Sequence, residues 1–550
     1  MHGPLTLRLL GGLFLATSIS VLAGDAPPVG GQAPDATKKT STASSLPSGQ
    51  KLSATQLARH LDRLILETLH AEKTEPSPRC SDEEFVRRVY LDLTGKIPTA
   101  EQALAFLDSR EANKRAQLID ELLASKEYGR HLADIWQTLL LPRNSDNRRL
   151  LQYYEHLTKW METKFNANTP WNEMVQELLT AKGDVTKNGP VIYWVANNTA
   201  DKVTDSVSKV FLGVQLQCAQ CHNHPFTGWK QDEYWGMAAF FLHVRPEGNP
   251  KAAAKNGGTI SIAENPQAKR GKRQVLPESA RIVAPKFLQG EKPTVKSGAP
   301  VRPVLASWMT TPQNPFFAKA MVNRVWWQLF GRGLVNPVDD MHEGNAASHP
   351  QLLADLTQQF AASGFDLKHL FRTICNSETY QRSSKPTGSN GSVGPELYAR
   401  MAIKPLSPEQ MYDSLASLLG GEARPNAARK NKQQAQQQKG GANARAAFVA
   451  FFSADEGADP TEYQAGIPQV LRLMNSAQFN NFGRLAGSVR SSTDVGGLVE
   501  KLYLNILARR PTSVELERTS NYLRRGDDRR EAIAGVIWAL VNSSEFALNR

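Results

Sequence analysis

SDEEFVRRVYLDLTGKIPTAEQ, residues 81–102, reads as a helix, a stop and a second helix. Ser81 followed three residues later by Glu84 is a capping-box pattern that opens a helix through Leu93. Gly95 ends that helix, since glycine takes the left-handed conformation without steric cost. Pro98 and Thr99 start the next one. Upstream, Leu57, Leu61, Leu64 and Ile65 recur at helical spacing. Downstream, Leu118, Leu122 and Leu123 mark a further helix, and others are expected near 128–141, 148–165, 170–181 and 199–214.

The pattern recurs near the other end of the chain. Tyr90, Leu91, Pro98 and Thr99 reappear as Tyr503, Leu504, Pro511 and Thr512 at identical internal spacing, with Thr512 and Glu515 forming a second capping box. Each copy is followed by a helix, a polar gap and an apolar helix that ends in Ser125, Glu127, Tyr128 or in Ser543, Glu545, Phe546. Two distant copies do not make a solenoid; they predict one packing module used twice.

The helix at 199–214 delivers the chain into FLGVQLQCAQCHNHPFTGWKQDEYWGMAAFFLH, residues 211–243. Cys218 and Cys221 lie three positions apart with His222 directly after, the spacing that attaches a c-type haem. In that reading the two thiols become thioethers on the porphyrin edge and His222 is the proximal iron ligand. Met237 and His243 are the nearest candidates for a second ligand, although Met237 sits in an aromatic-rich run suited to core packing. His224 is too close to His222 to reach the opposite porphyrin face and reads as a supporting or substrate-side group. A local disulfide or a pair of free thiols fits the same spacing. So does a non-haem metal site in which His222 or His224 is joined by the distant Cys80 or Cys375.

Residues 1–23 set the expected compartment. Arg8 precedes an apolar run, Leu9–Leu22, and Val21 and Ala23 are the small residues wanted before cleavage. Export is therefore expected, to the periplasm or cell envelope, with a tether rich in Pro, Gly, Ser, Thr and Lys at 24–50. Retention of 1–23 as an anchor is the competing expectation. No later run reaches membrane-spanning length. The 550 residues allow a few domains, and 4 cysteines are too few for a disulfide framework in so long an exported chain.

The expected fold is mainly α: a helical domain at 51–245, an irregular, weakly β connection at 246–300 and a second helical domain at 301–550. Lys251, Lys255, Lys269, Arg270, Lys272 and Arg273 make the connection basic within a chain of net charge +12, so acidic polysaccharide is a candidate partner. No nucleic acid is expected. Asn314 and Pro315 open a helix that stops at Gly331, and further helices are expected at 350–377, 407–420, 467–485, 495–508, 512–525 and 529–546. Residues 422–447 are low-complexity and expected to be disordered. The loop VDDMHEGNAASH gathers Asp339, Asp340, His342, Glu343 and His349, residue types that bind metal or exchange protons and equally form turns and caps.

RRVYLDLTGKIPTAEQ, LLASKEYG and the run around CAQCH resemble the planctomycete cytochrome-C-like family of unknown function (the PSCyt type). NPFFAKAMVNRVWWQLFGRGLVNPVDD, SHPQLLADL, SGFDLKHLFRTICNSETYQRS and IWALVNSSEFALN are similar to the partner domain (the PSD type) that habitually follows it. The resemblance implies a cytochrome-like CxxCH element with no assigned activity. Many relatives carry an additional N-terminal cytochrome domain; this chain has one CxxCH motif, which puts a multi-haem wire within it in doubt. The leading expectation is an exported electron-transfer protein with one covalent haem and a periplasmic redox partner. The alternative is a non-haem structural or glycan-binding envelope protein with a Cys/His staple or metal site, and a hydrolase or oxidoreductase built on Asp339, Asp340 and His342 ranks last.

Overall fold

Ser53 opens the described fold: its hydroxyl accepts from the Gln56 N–H and Gln56 answers with its side chain, capping α1 (Ala54–Ala71). A computed structural model describes residues 51–142, 150–247, 260–264, 283–296, 298–418, 444–452, 494–526 and 528–550. The expected leader (1–23), the tether (24–50), the basic residues from Lys251 to Arg273, the helix expected at 467–485 and positions 422–443 lie outside them.

α2 (Asp82–Thr94) begins at Ser81, whose hydroxyl accepts from the Glu84 N–H. The return bond is missing from that capping box. Arg88 takes the Glu84 carboxylate at 2.7 Å and the Ser384 N–H donates to it at 2.8 Å, and a charge-assisted bond outcompetes a neutral cap. Gly95, at φ 70°, ends the helix, and Thr99 with Gln102 forms a full capping box for α3 (Ala100–Asp108). The chain continues through α4 (Lys114–Ala124), α5 (Lys126–Leu140), α6 (Leu151–Asn166), α7 (Trp171–Thr180), α8 (Val191–Ala196), α9 (Ala200–Leu212) and α10 (Gln231–Ala238). The next helices among the described residues are α11 (Arg302–Met309), α12 (Phe317–Phe330), α13 (Pro350–Ala362), α14 (Leu367–Cys375) and α15 (Pro408–Leu418). The last helices are α16 (Val495–Leu507), α17 (Ser513–Arg525), α18 (Arg529–Val541) and α19 (Ser544–Ala547).

The protein is mainly α, as its periodicity indicates. The strands are short: β1 (Gly183–Asp184), β2 (Val244–Glu247) and β3 (Ser261–Glu264) form an antiparallel sheet in the order β1-β3-β2, and β4 (Lys404–Pro405) pairs with β5 (Leu548–Asn549). The two helical segments meet along a continuous interface. α1 lies against α13 and α14, α7 against α11, and α9 against α12. Trp171 stacks on Phe317 at 6.3 Å, and His60 pairs with Asp355 at 2.6 Å.

The repeated module is real in three dimensions. Gly95 after α2 and Ala508 after α16 both sit in the left-handed region, at φ 70° and 59°, and Thr99 and Thr512 both complete capping boxes. The two copies share one core, in which Leu91 and Ile97 pack with Leu498, Leu502 and Ile506. Buried Arg87 crosses between them and donates to the carbonyls of Ile506 and Phe546.

Several boundaries differ from the expectation for identifiable reasons. Asn314 Oδ1 accepts from the N–H groups of both Phe316 and Phe317, the contacts expected of an N-cap at Asn314, although the regular span of α12 begins two residues later than Pro315, at Phe317. The stretch 350–377 is two helices, parted by Gly364 at φ 76° and Phe365 at φ 59°. Ser543 caps α19 and breaks the helix expected over 529–546. Residues 444–452 are helical, so 444–447 leave the low-complexity insertion. Arg445 fixes them by bridging Asp134 and Asp413 at 2.8 Å each.

Candidate functional site

α9 ends at Gly213, in the left-handed region at φ 70°. A Cβ there would stand 3.1 Å from Met341 Sδ and 3.2 Å from Ala320 Cβ, so the chain turns toward the cysteines on bare backbone. The Met341 N–H donates to the Gly213 carbonyl at 2.9 Å. The VDDMHEG loop is thereby joined to the root of the CAQCH segment.

α12 supports both loops. Phe316, at its N-cap, packs on Trp229 with ring centroids 6.3 Å apart, while Ala320 touches the Gly213 backbone. The amide of Asn323 donates to the carbonyls of Val335 and Val338 and accepts from the Val335 N–H. Arg324 and Asp339 form a buried ion pair, which consumes Asp339 in structure.

Between Gly213 and Trp229 the chain forms a single turn of 3₁₀-helix, Gln217–Gln220, and an exposed loop. Cys218 and Cys221 are both exposed and unpaired. His222 is exposed, and its Nδ1 lies 2.7 Å from the Asn223 carbonyl. A carbonyl only accepts, so Nδ1 is the donor, and in the neutral ring the lone pair is then on Nε2. α10 holds the turn from behind. Gln231 Nε2 donates to the carbonyls of Cys221 at 2.7 Å and Gln220 at 3.2 Å, and Trp235 Nε1 donates to Gln220 at 3.0 Å. Gln231 N–H donates to Asn223 Oδ1 at 3.0 Å, and the His224 N–H donates to the Trp229 carbonyl at 2.8 Å. Phe226, on the tip between them, is 88 % exposed.

A carboxylate and a phenol lie where α9 meets α10. Tyr234 is fully buried, and its hydroxyl faces Asp205 without a well-aligned hydrogen bond. Burial pushes the Asp205 carboxyl up to about 6 despite the Tyr234 hydroxyl, with Asp201 adding to the rise. Burial also raises the Tyr234 phenol, reinforced by Asp205, Asp201 and Cys221.

The other expected site residues are placed as follows. Met237 is fully buried, and α10 turns it about 200° away from Trp235, which faces the CAQCH turn. The structure therefore gives Met237 to the core. His243 comes after the turn that follows the C-terminal end of α10, whereas Gln231 is at the N-terminal end of that helix. Cys80 is buried beside Arg88 and Arg115, and Cys375 is buried at the end of α14; both are free. Neither joins His222 or His224, and among the described residues no three His, Cys, Asp or Glu side chains converge as a metal-binding group. His342 lies 3.7 Å from Asp340 and accepts from the Gly344 N–H. Glu343 is exposed, and His349 is buried at the N-cap of α13, away from that pair in role and environment.

Residues 60–246 match the family PSCyt2, "Protein of unknown function (DUF1549)", and residues 301–523 match PSD1, "Protein of unknown function (DUF1553)", in that order. The chain belongs to the PSCyt2–PSD1 proteins. No curated protein and no solved structure matches it. The PSCyt2 segment contributes α9, the CAQCH turn and α10, while the PSD1 segment contributes α12 and the loop with Met341. Among the described residues no helix is long and apolar enough to cross a membrane.

The donor set of the PSCyt2 turn fits a covalently held haem: two accessible thiols on one turn, then an imidazole whose Nε2 lone pair is kept available by a carbonyl on Nδ1. Sequence reasoning missed Gln231, Trp235, Met341 and Asn323. Gln231 and Trp235 sit one helical turn apart, a signal legible only once the run Gln231–Ala238 is read as a helix. The Met341 contact from the PSD1 segment had no local signal, since it joins positions more than a hundred residues apart.

Proposed function

We propose that this PSCyt2–PSD1 protein is an exported c-type haem protein of the electron-transfer class, with one haem on Cys218 and Cys221 and His222 as an axial ligand. The observation that carries the reading is the His222 Nδ1 contact to the Asn223 carbonyl beside two exposed, unpaired thiols. Haem, when bound, supplies reversible one-electron exchange. Cys218 and Cys221 bind its edge. The Asn223 carbonyl orients the His222 ring, and Gln231 and Trp235 hold the turn in place. Exposure of Cys221, His222, Asn223, Pro225 and Phe226 leaves the site open to a redox partner in the periplasm or cell envelope. Export is proposed with cleavage after Ala23.

The test is production of the chain together with cytochrome-maturation machinery, followed by haem-stained gel electrophoresis and a visible spectrum. The reading requires haem that survives denaturation in the wild type and is lost in C218A/C221A. Folded, intact wild-type protein without a Soret band contradicts it.

A further inference from the structure

Lys319 stands on α12, the helix whose Phe316 and Ala320 lie against the two ends of the CAQCH loop. Phe316, Lys319, Ala320 and Asn323 fall within about 100° of the α12 circumference. Phe316 carries Trp229, where the loop ends, and Ala320 carries Gly213, where it begins. Lys319, at the edge of this face about 60° from Phe316, is half-buried. On this face Asn323 satisfies Val335 and Val338, and the neighbouring Arg324 pairs with Asp339. Lys319 has no hydrogen-bond acceptor or carboxylate partner among the described residues, and desolvation alone holds its ammonium below the usual lysine range. Partial removal of an ammonium from water without a compensating anion costs free energy. A visiting carboxylate would offset that cost and would do so at the base of this loop.

We infer that Lys319 is the counter-charge for a carboxylate of the ligand seated on the CAQCH loop, namely a propionate of the porphyrin. The inference rests on the haem reading above and adds to it an orientation: thioether edge at Cys218 and Cys221, carboxylate edge toward α12. Phe226, otherwise uncovered, is the apolar residue of the loop available to the ring between those edges.

Two measurements on haem-bearing protein decide it. The first is the midpoint potential of wild type, K319R and K319Q. Loss of the cation leaves the propionate uncompensated and favours the ferric state, so K319Q shifts to lower potential while K319R stays near wild type. The second needs no lysine variant: acetic anhydride labelling of Lys319, read by mass spectrometry, is several-fold slower in the haem-bearing wild type than in haem-free C218A/C221A. Equal labelling, or a K319Q potential equal to wild type, overturns the inference while leaving the haem reading intact. A wild type that carries no haem overturns both.

Discussion

The backbone N–H of Met341 donates to the carbonyl of Gly213 at 2.9 Å, joining the loop after α12 to the residue that ends α9. Five positions beyond Gly213 stands Cys218. The PSD1 segment therefore fixes the root of the PSCyt2 motif, which gives a physical role to the pairing of the two families in one chain.

G213A tests that joint. The left-handed backbone and the close approach of Met341 Sδ and Ala320 Cβ both oppose a methyl group. A destabilisation of about 1–3 kcal/mol is expected in chemical denaturation. The double variant G213A/M341A recovers part of it; no difference between the two variants would show that the Met341 contact does not bear on Gly213.

The buried Arg324–Asp339 pair anchors the same loop. Removing one partner leaves an uncompensated buried charge, so D339N costs about 3–5 kcal/mol. Replacing both with apolar residues of similar size costs less than either single change. A strictly additive double mutant would contradict the pairing.

Asp205 predicts a pH-dependent gain. Its folded value of about 6 exceeds that of an unfolded carboxyl, so the folded state binds the proton more tightly and loses stability as pH rises from about 4 through about 6. D205N removes that loss. The variant is expected to be more stable than wild type by about 1 kcal/mol at pH 7, after allowance for solvent screening of a half-exposed group, and indistinguishable from it at pH 3.5. Denaturation at the two pH values measures both; a gain equal at both would refute the assignment.

His349 acts in the opposite direction. Burial pushes its imidazole down to about 4, below the unfolded value of about 6.5, so its contribution is complete above pH 6.5 and is lost as pH falls toward 4. The loss is at most on the order of 3 kcal/mol. H349Q flattens this part of the stability profile, and an unchanged slope between pH 6.5 and 4 would count against a neutral buried imidazole.

The helical class was legible because caps and periodicity are local. Gly95, Thr99 and Thr512 do in space what their spacing indicates, and the repeated module follows from them. Glu84 shows where local reading stops: its partner for the cap was outbid by Arg88 and Ser384, the latter three hundred residues away. The CAQCH motif was legible as chemistry but not as a place. Its supports, Gln231 and Trp235 on α10 and Met341 from the far segment, depend on tertiary contact, and Met237 went to the core because helix phase, not proximity in sequence, decides which side chain faces the turn.

The most direct test of the account is the intact mass of purified mature protein made with cytochrome-maturation machinery. The account predicts a chain beginning after Ala23 that carries the mass of one porphyrin, and C218A/C221A without that addition. A wild-type mass equal to the bare polypeptide, from protein that folds cooperatively, contradicts it.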